Sequence, residues 1–175
     1  MTGRKRSHWG WGWADKFPDT KTRAQLGQQV QALLGFETSA PVEPVALEAV
    51  ELPPPRLDAH LSITTDSEER IRHTYGRSYR DVVRGFRGDF DAAPDAVARP
   101  TTEAEIEALL EWAAQEHVAV VPWGGGTSVV GCVEAPRDRR RVAPDPAAFD
   151  WVAEIAETLL LARSHAAALG PSLAS

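Results

Sequence analysis

The residues best suited to chemistry lie in one glycine-rich loop at residues 122–131, Pro-Trp-Gly-Gly-Gly-Thr-Ser-Val-Val-Gly. The consecutive glycines 124–126 lack side chains, so the backbone can take positive φ values and approach a ligand closely. Successive amide N–H groups in such a turn form an anion-binding concavity, and the hydroxyl groups of Thr127 and Ser128 suit phosphate oxygens. A dinucleotide pyrophosphate would fit this loop. Three glycines alone, however, favour a flexible turn that binds nothing.

Two common phosphate-binding motifs are excluded by position. The Gly-x-Gly-x-x-Gly fingerprint of Rossmann folds requires glycine at a position that Ser128 or Val129 occupies here, depending on where the motif begins. The Gly-x-x-x-x-Gly spacing of a P-loop is present, but Cys132 and Val133 follow it where Lys and Ser/Thr are required. The loop is therefore neither a Rossmann loop nor an ATP or GTP loop.

A strand, a helix and a second strand precede the loop. The first strand is expected at Ala96–Ala98, stopped by Pro100, and Thr102 with Glu105 forms a capping box that begins the helix. The apolar residues 118–121 indicate a compact buried strand. This order brings backbone amides to a sheet edge, where ligands collect. The apolar face of the helix comprises Ile106, Leu109, Leu110, Ala113 and Ala114.

Two further segments precede this unit. Residues 1–60 contain a Trp-rich arm at 8–13, a helix at 22–34 and a proline-rich linker. The arm is expected to lie on the domain surface and bury its indoles, with a docking or lid role as the alternative.

Residues 61–92 are expected to be helical, broken at Gly76 and Gly85. Five arginines in this segment fall within about a third of a helical wheel: Arg70, Arg77, Arg80, Arg84 and Arg87. This spacing favours a solvated helix face whose arginines pair with carboxylates, and a phosphate-binding stripe is the alternative.

The composition is that of a soluble globular protein, with 43% hydrophobic and 25% charged residues among 175. A net charge of -6 disfavours nucleic acid as a partner. Because Cys132 is the only cysteine, no internal disulfide can form and a cytoplasmic location is expected. No segment approaches the roughly 18–20 apolar residues of a membrane span. We expect no metal site and no catalytic residue, since the histidines are scattered and no nucleophile adjoins a base.

The sequence resembles a known family in its loop and in the segment before it. The loop, preceded by residues 94–106 (Pro-Asp-Ala-Val-Ala-Arg-Pro-Thr-Thr-Glu-Ala-Glu-Ile), resembles the N-terminal half of the FAD-linked oxidase family, which has the flavin fold of p-cresol methylhydroxylase and vanillyl-alcohol oxidase. Residues 8–17 and 72–81 resemble the alkyldihydroxyacetonephosphate synthase branch of that family. The resemblance covers nearly the whole chain.

The resemblance implies an α+β fold in which residues 93–175 form part of a p-cresol methylhydroxylase (PCMH)-type FAD-binding domain, after the segments 1–60 and 61–92. It implies that loop amides bind the pyrophosphate of FAD, noncovalently because no histidine lies in the loop to carry the flavin. A second glycine commonly follows in the family where Cys132 stands here. The implied cofactor-binding residues are Pro122, Trp123, Gly124, Gly125, Gly126, Thr127, Ser128, Val129 and Gly131.

The end of the chain departs from the family pattern. Pro144 and Pro146 would remove hydrogen-bond donors from the expected strand, and residues 156–168 are expected to be helical. The chain therefore resembles a truncated member without the substrate domain that, in intact relatives, oxidises an alcohol or hydroxy acid or forms an ether from an acyl dihydroxyacetone phosphate. Two hypotheses follow: an FAD-binding flavoprotein fragment, with a small-molecule substrate only if a substrate domain is supplied elsewhere, or a non-catalytic relic or partner module that does not bind flavin alone.

Overall fold

The computed structural model describes residues 5–35, 41–58, 62–134, 137–156, 158, 161–165 and 167–168. Within these ranges helices and strands alternate in a mixed architecture, which confirms the predicted α+β class. The helices are α1 (Thr20–Leu34), α2 (Ser67–Arg72), α3 (Tyr79–Phe86) and α4 (Glu103–Gln115). The strands are β1 (Ile63–Thr64), β2 (Ala96–Ala98), β3 (Ala119–Val120), β4 (Arg141–Pro144), β5 (Val152–Ala156) and β6 (Leu161–Ser164). No helix in these ranges has the length and apolar character needed to span a bilayer.

The larger sheet has the strand order β1-β2-β4-β3. Strand β1 is antiparallel to β2, whereas β2, β4 and β3 are parallel to one another. Helix α4 connects β2 to β3, and β4 fills the space between them, paired in register with both. The predicted strand-helix-strand order is confirmed, and the segment 61–92 also contributes a strand, β1, to this sheet.

Helix α4 begins as its capping residues predict. The Thr102 hydroxyl accepts a hydrogen bond from the Glu105 N–H at 3.2 Å, and the Glu105 carboxylate accepts from the Thr101 N–H at 2.6 Å. Two of the five predicted apolar positions, Leu109 and Ala113, are buried against the sheet. Leu110 and Ala114 are exposed, because only the stripe of the helix that faces the sheet is covered.

Strand β3 is half-buried rather than buried, because it is the last strand of the larger sheet. The most buried strands, β2 and the first three residues of β4, lie in the middle. Pro144 is the last residue of β4, where the donor that it lacks is not needed inside the ladder. Its carbonyl still accepts a hydrogen bond from the Trp123 N–H at 2.9 Å. Proline at this position therefore leaves the central strand intact.

The expectation of helix at residues 156–168 is wrong. Strands β5 and β6 form an antiparallel hairpin in which Ile155 pairs with Ala162 and Ala156 with Leu161. The Trp151 and His165 rings lie 3.9 Å apart at the open end of this hairpin. Helix propensity is a weak preference, and cross-strand pairing with this aromatic contact outweighs it here. Residues 169–175 of the predicted flavin domain lie outside the described residues.

The N-terminal segments match their predictions in part. Helix α1 ends at Gly35 as predicted, but the apolar residues of its predicted face are exposed. Trp9 packs against Phe17 and Phe86, with ring centroids 4.5 and 5.0 Å apart, whereas Trp11 stays exposed. Residues 61–92 contain two short helices separated around Gly76. The expected break at Gly85 is absent, since Gly85 lies inside α3.

A buried carboxylate joins the linker to the two central strands. Asp95 accepts hydrogen bonds from the backbone N–H and Nε of Arg56 at 3.0 and 2.9 Å, and from the Arg141 N–H at 2.8 Å. Burial alone would raise the pKa of Asp95, but the hydrogen bonds from Arg56 and Arg141 outweigh it, so the pKa is lowered. Asp95 therefore remains ionised while it fixes the start of β4 beside β2.

Replacing Asp95 with alanine is expected to destabilise the protein by about 3 kcal/mol, because the Arg56 guanidinium and the Arg141 amide lose their acceptor. The free energy of unfolding from urea denaturation measures the effect. The matched control is Asp91→Ala, at a largely exposed carboxylate nearby, for which a change below about 0.5 kcal/mol is expected. Equal losses for the two variants would contradict the role assigned to Asp95.

Candidate functional site

The glycine loop leaves the sheet at the carboxyl end of β3. The Val121 N–H donates to the Val142 carbonyl at 3.0 Å, and the Trp123 N–H donates to the Pro144 carbonyl at 2.9 Å. These bonds extend the pairing of β3 with β4 up to the first residue before the glycines. The loop thus stands at the carboxyl edge of a parallel sheet, where backbone groups beyond the strands are free to meet a ligand.

A buried indole supports the loop from below. Trp123 is 7% exposed, and a Cβ added to Gly126 would come within 2.5 Å of its ring. The φ of Gly126 is +65°, a conformation that a side chain would strain. Glycine at position 126 is therefore required by the fold itself, both for its backbone conformation and for its contact with Trp123.

The other two glycines of the triplet are not required by the fold. Neither Gly124 nor Gly125 has a positive φ, which corrects the expectation that all three consecutive glycines serve backbone conformation. A Cβ at Gly124 would meet nothing within 4 Å, and one at Gly125 only the Thr127 methyl group at 3.7 Å. Both residues are exposed. Their missing side chains leave open the outer face of the loop.

The amide groups of the loop have no acceptor in the part of the protein that the structure describes. Among the described residues, the backbone N–H groups of residues 124–130 donate to no protein acceptor, and Gly124, Gly125 and Thr127 are exposed. A row of unpaired N–H groups with Gly126 in the left-handed region is the arrangement that binds an anion. The hydroxyl of Thr127, also exposed, adds a further donor. This geometry can hold a phosphate or pyrophosphate group.

The far side of the loop is held through a carbonyl. The Ser128 carbonyl accepts a hydrogen bond from the Arg77 backbone N–H. The approach is so close that a Cβ on Gly76 would overlap the Ser128 oxygen. Gly76 therefore acts as a contact point for the loop, in addition to separating α2 from α3.

A histidine and a carboxylate lie beside the supporting indole. The His73 ring centroid is 5.3 Å from that of Trp123. Its Nδ1 lies 2.7 Å from the Glu69 carbonyl oxygen and its Nε2 lies 3.2 Å from Asp145 Oδ2. Both partners are acceptors, so both hydrogen bonds form together only when both ring nitrogens carry a proton. The contact joins the His73 ring to the Asp145 carboxylate.

The carboxylate of this pair is electrostatically stabilised. Burial alone would raise the pKa of Asp145, but the hydrogen bond from His73 and the charges of His73 and Arg99 outweigh it and lower the pKa. Asp145 follows β4 directly, and its backbone N–H donates to the Ala98 carbonyl at 2.8 Å. The pair therefore links α2 to the carboxyl edge of the sheet beneath the loop.

The end of the loop is tied to α3 by charge. Glu134 accepts hydrogen bonds from Arg84 at 3.1 Å and from Arg80 at 2.5 Å. Gly131, with φ +75°, makes the last turn of the loop. Cys132 follows it without a positive φ, so its side chain is accommodated at this end of the loop without backbone strain. Its thiol is exposed and lies 3.1 Å from the Ser128 hydroxyl.

The sequence-predicted site residues fall into two groups. Gly124, Gly125 and Thr127 lie on the exposed outer face, as does the side chain of Val129. Trp123 faces inward and its N–H is already bonded to Pro144, while Pro122 has no N–H to donate. These two residues therefore cannot offer amide donors to a ligand, and their contribution is to place the glycines.

The sequence interpretation missed the residues that hold the loop from the end of α2, from the segment before α3, from α3 itself and from the end of β4. They are His73, Gly76, Arg77, Arg84 and Asp145. The grouping of the arginines on one helical wheel hid these contacts, because the partners lie in distant parts of the chain. Arg80 and Arg84 do pair with a carboxylate as expected, but Arg70 is buried and donates to the Pro94 and Pro53 carbonyls. The part of the chain that the structure describes holds no cluster of three metal-ligating side chains.

The sequence matches a known domain family and several known proteins. Residues 94–168 match the FAD binding domain family. The chain is 42% identical over 81 residues to an alkyldihydroxyacetonephosphate synthase of Trypanosoma brucei brucei, covering 46% of this chain and 13% of the relative. It is 37% identical over 75 residues to the synthase of Dictyostelium discoideum, covering 43% of this chain and 12% of the relative. It is 30% identical over 115 residues to the synthase of Caenorhabditis elegans, and this match covers 65% of this chain and 19% of the relative.

Solved structures of an alkyldihydroxyacetonephosphate synthase share the fold. Two crystal forms, P1 and P212121, superpose with TM-scores of 0.69 and 0.68 at 27% identity, covering 75% of this chain and 27% of theirs. The chain thus spans less than a third of the length of each of these proteins. The predicted resemblance to the FAD-linked oxidase family and its alkyldihydroxyacetonephosphate synthase branch is confirmed.

Alanine at position 126 is expected to destabilise the protein, and alanine at position 125 is not. Gly126→Ala places a Cβ at positive φ and against Trp123, for a loss of about 2 kcal/mol. Gly125→Ala adds a Cβ in open space and restricts the unfolded chain, so stability should be unchanged or higher by up to about 1 kcal/mol. Urea denaturation of the two variants measures the difference. Equal stability would show that the indole does not support the loop.

The His73–Asp145 pair is expected to make the free energy of unfolding depend on pH in the acid range. Because the folded-state pKa of Asp145 is lowered, its contribution is present above the ordinary pKa of 3.8 and is lost as pH falls through the folded-state value. Asp145→Asn should cost about 1 to 2 kcal/mol at pH 6 and much less at pH 2 to 3. Asp150→Asn, at an exposed carboxylate of the same segment, is the control. A loss that is independent of pH would contradict the ion pair.

Proposed function

We propose, from the premise that residues 94–168 are part of an FAD binding domain similar to that of alkyldihydroxyacetonephosphate synthase, that this chain binds FAD through its glycine loop. The pyrophosphate would lie on the outer face of residues 124–128. The backbone N–H groups there would donate to the phosphate oxygens, with the Thr127 and Ser128 hydroxyls beside them. Val129 and Gly131 complete the proposed site as the loop returns toward α3.

The observation that carries this proposal is the difference between the glycines. Gly126 is demanded by the fold, but Gly124 and Gly125 have ordinary φ values and open space where a Cβ would be. In a plain turn these two positions would accept most residues. An occupant that must approach the backbone closely accounts for glycine at both, and a row of unpaired N–H groups favours an anionic one.

The loop residues bind and orient the cofactor. The bond from the Trp123 N–H to Pro144 and the bond from Arg77 to the Ser128 carbonyl hold the two ends of the donor row. A rigid row loses little conformational entropy when a ligand binds. When bound, FAD would supply the electron-accepting isoalloxazine that side chains lack. The chain's own part is then placement of the cofactor.

We propose that the flavin is held without a covalent bond. The described loop contains no histidine, and its nearby thiol, Cys132, contacts the Ser128 hydroxyl on the loop's own surface. The lone cysteine also supports our proposal of a reducing compartment, the cytoplasm.

The activity named for the relatives is a further proposal for this chain. No nucleophile with a neighbouring base occurs among the described residues of the site. An ether-forming or oxidising reaction on a small-molecule substrate would therefore need a substrate-binding part outside residues 94–168. The alternative is a module that keeps this half-domain without binding flavin alone, and the same measurement separates the two proposals.

The purified chain is expected to bind FAD and to show the visible absorption bands of a bound flavin. Gly125→Val should raise the dissociation constant by at least about 100-fold, because the added side chain occupies the face that the pyrophosphate approaches. Quenching of flavin fluorescence on titration measures the constant, and denaturation confirms that the variant remains folded.

The matched control is Gly27→Val, which adds the same side chain at another open glycine, in α1, where a Cβ would meet only Pro41 at 3.9 Å. Its affinity for FAD should equal that of the unaltered chain. A chain that folds but ignores added FAD would support the non-binding module. Unchanged affinity in Gly125→Val would show that the loop does not bind the cofactor.

A further inference from the structure

One arginine contacts two segments that lie far apart in the sequence. The Arg77 guanidinium donates to the Gly10 carbonyl at 3.0 Å and to the Ser7 carbonyl at 3.1 Å, both in the N-terminal arm. Its backbone N–H donates to the Ser128 carbonyl of the glycine loop. Arg77 therefore connects the arm, here residues 5–13, directly to the proposed flavin site.

The arm is folded so that its carbonyls face this arginine. The Ser7 N–H donates to the Gly12 carbonyl at 3.0 Å, and the Ser7 hydroxyl accepts from the Gly10 N–H at 2.9 Å. This closed turn, with Trp9 packed on α3, fixes both acceptors. The guanidinium then adds the carbonyls of its own segment, Tyr75 at 3.2 Å and Gly76 at 2.8 Å.

This arrangement depends on a guanidinium and not merely on a positive charge. Burial lowers the pKa of Arg77, the charge of Arg6 acts in the same direction, and only Asp81 among the nearest charges opposes them clearly. A cation in such surroundings must be compensated by hydrogen bonds. Arginine spreads five donors over a planar fork, whereas lysine carries three on one nitrogen and cannot reach four separate carbonyls.

The contact on the loop side is equally restricted. Gly76 lies so close to the Ser128 carbonyl that no side chain fits between them. The position of the Arg77 backbone therefore determines the position of Ser128. A shift of the Arg77 backbone would move the Ser128 end of the donor row relative to the end that is fixed at Trp123.

We propose that Arg77 is a positioning residue for cofactor binding, and that the Trp-rich arm serves the site through it. This inference rests on the proposed binding of FAD by the loop. The arm fixes the guanidinium, the guanidinium fixes the backbone of residues 76 and 77, and that backbone fixes the Ser128 end of the donor row. The arm thus supports the position of the cofactor loop and does not act as a lid over it.

The test compares Arg77→Lys with Arg87→Lys, the same substitution at an exposed arginine that ends α3. Hydrogen exchange is followed at two amides, that of Ser7, bonded within the arm, and that of residue 77, bonded to the loop. Arg77→Lys should accelerate both by about tenfold, and Arg87→Lys neither. The dissociation constant for FAD, measured at a temperature where circular dichroism shows each variant folded, should rise about tenfold or more only in Arg77→Lys.

The outcomes separate this inference from the proposed function. A purely structural arginine would lower the melting temperature but leave the FAD constant of the folded variant unchanged, and that result overturns the inference. Faster exchange at Ser7 without faster exchange at residue 77 overturns it too, since arm and loop would then be uncoupled. If the unaltered chain binds no FAD, the proposed function fails, and the two amides alone decide whether the arm holds the loop.

A second variant keeps the test open if Arg77→Lys does not fold. Trp9→Leu loosens the packing of the arm on Phe86 and leaves Arg77 in place. It should accelerate hydrogen exchange at the amide of residue 77. It should also raise the dissociation constant for FAD, by a smaller factor than Arg77→Lys does. Where Arg77→Lys does fold, its effect and that of Trp9→Leu should be less than additive in the double variant, because both act through the same contact. Full additivity would show that the arm acts independently of Arg77.

Discussion

The structure depends on one constraint, that a loop which offers its backbone N–H groups to a ligand cannot use those groups to hold itself. Residues 124–130 form no hydrogen bond through their amides within the described protein. The loop must therefore be fixed through other atoms. It is fixed by the strand pairing that ends at Trp123, by the indole under Gly126 and by the Ser128 carbonyl. Each of these supports lies on the inner side, so the outer side stays open.

This constraint explains why the neighbouring elements are polar where they meet the loop. The indole of Trp123 contacts His73, which pairs with Asp145 beyond β4. The end of the loop meets Glu134, which is held by two arginines of α3. An apolar contact alone would leave the loop free to slide over its support. Directional hydrogen bonds at both ends remove that freedom, which agrees with a site that is organised before its ligand arrives.

The extent to which the sequence predicts this molecule depends on how local each feature is. The strand at Ala96–Ala98, the capping of α4 and the position of the glycine loop follow from contiguous residues, and the structure has them in place. The roles of Arg77 and Asp145 depend on partners up to about seventy residues away, which no periodicity reports. The helical expectation for residues 156–168 failed for a different reason: the β5–β6 hairpin pairs residues that are near in sequence, and its cross-strand contacts outweigh helix propensity.

The glycines show how conformational and functional requirements can be separated within one short motif. Seen in sequence, Gly124, Gly125 and Gly126 are equivalent, and backbone freedom is a sufficient reason for all three. In the structure only Gly126 uses that freedom, and Cys132 shows that a side chain is accepted where the backbone takes an ordinary φ. Backbone conformation therefore does not account for glycine at positions 124 and 125. What remains is the space in front of them, and this makes the outer face of the loop, rather than its flexibility, the feature that calls for a ligand.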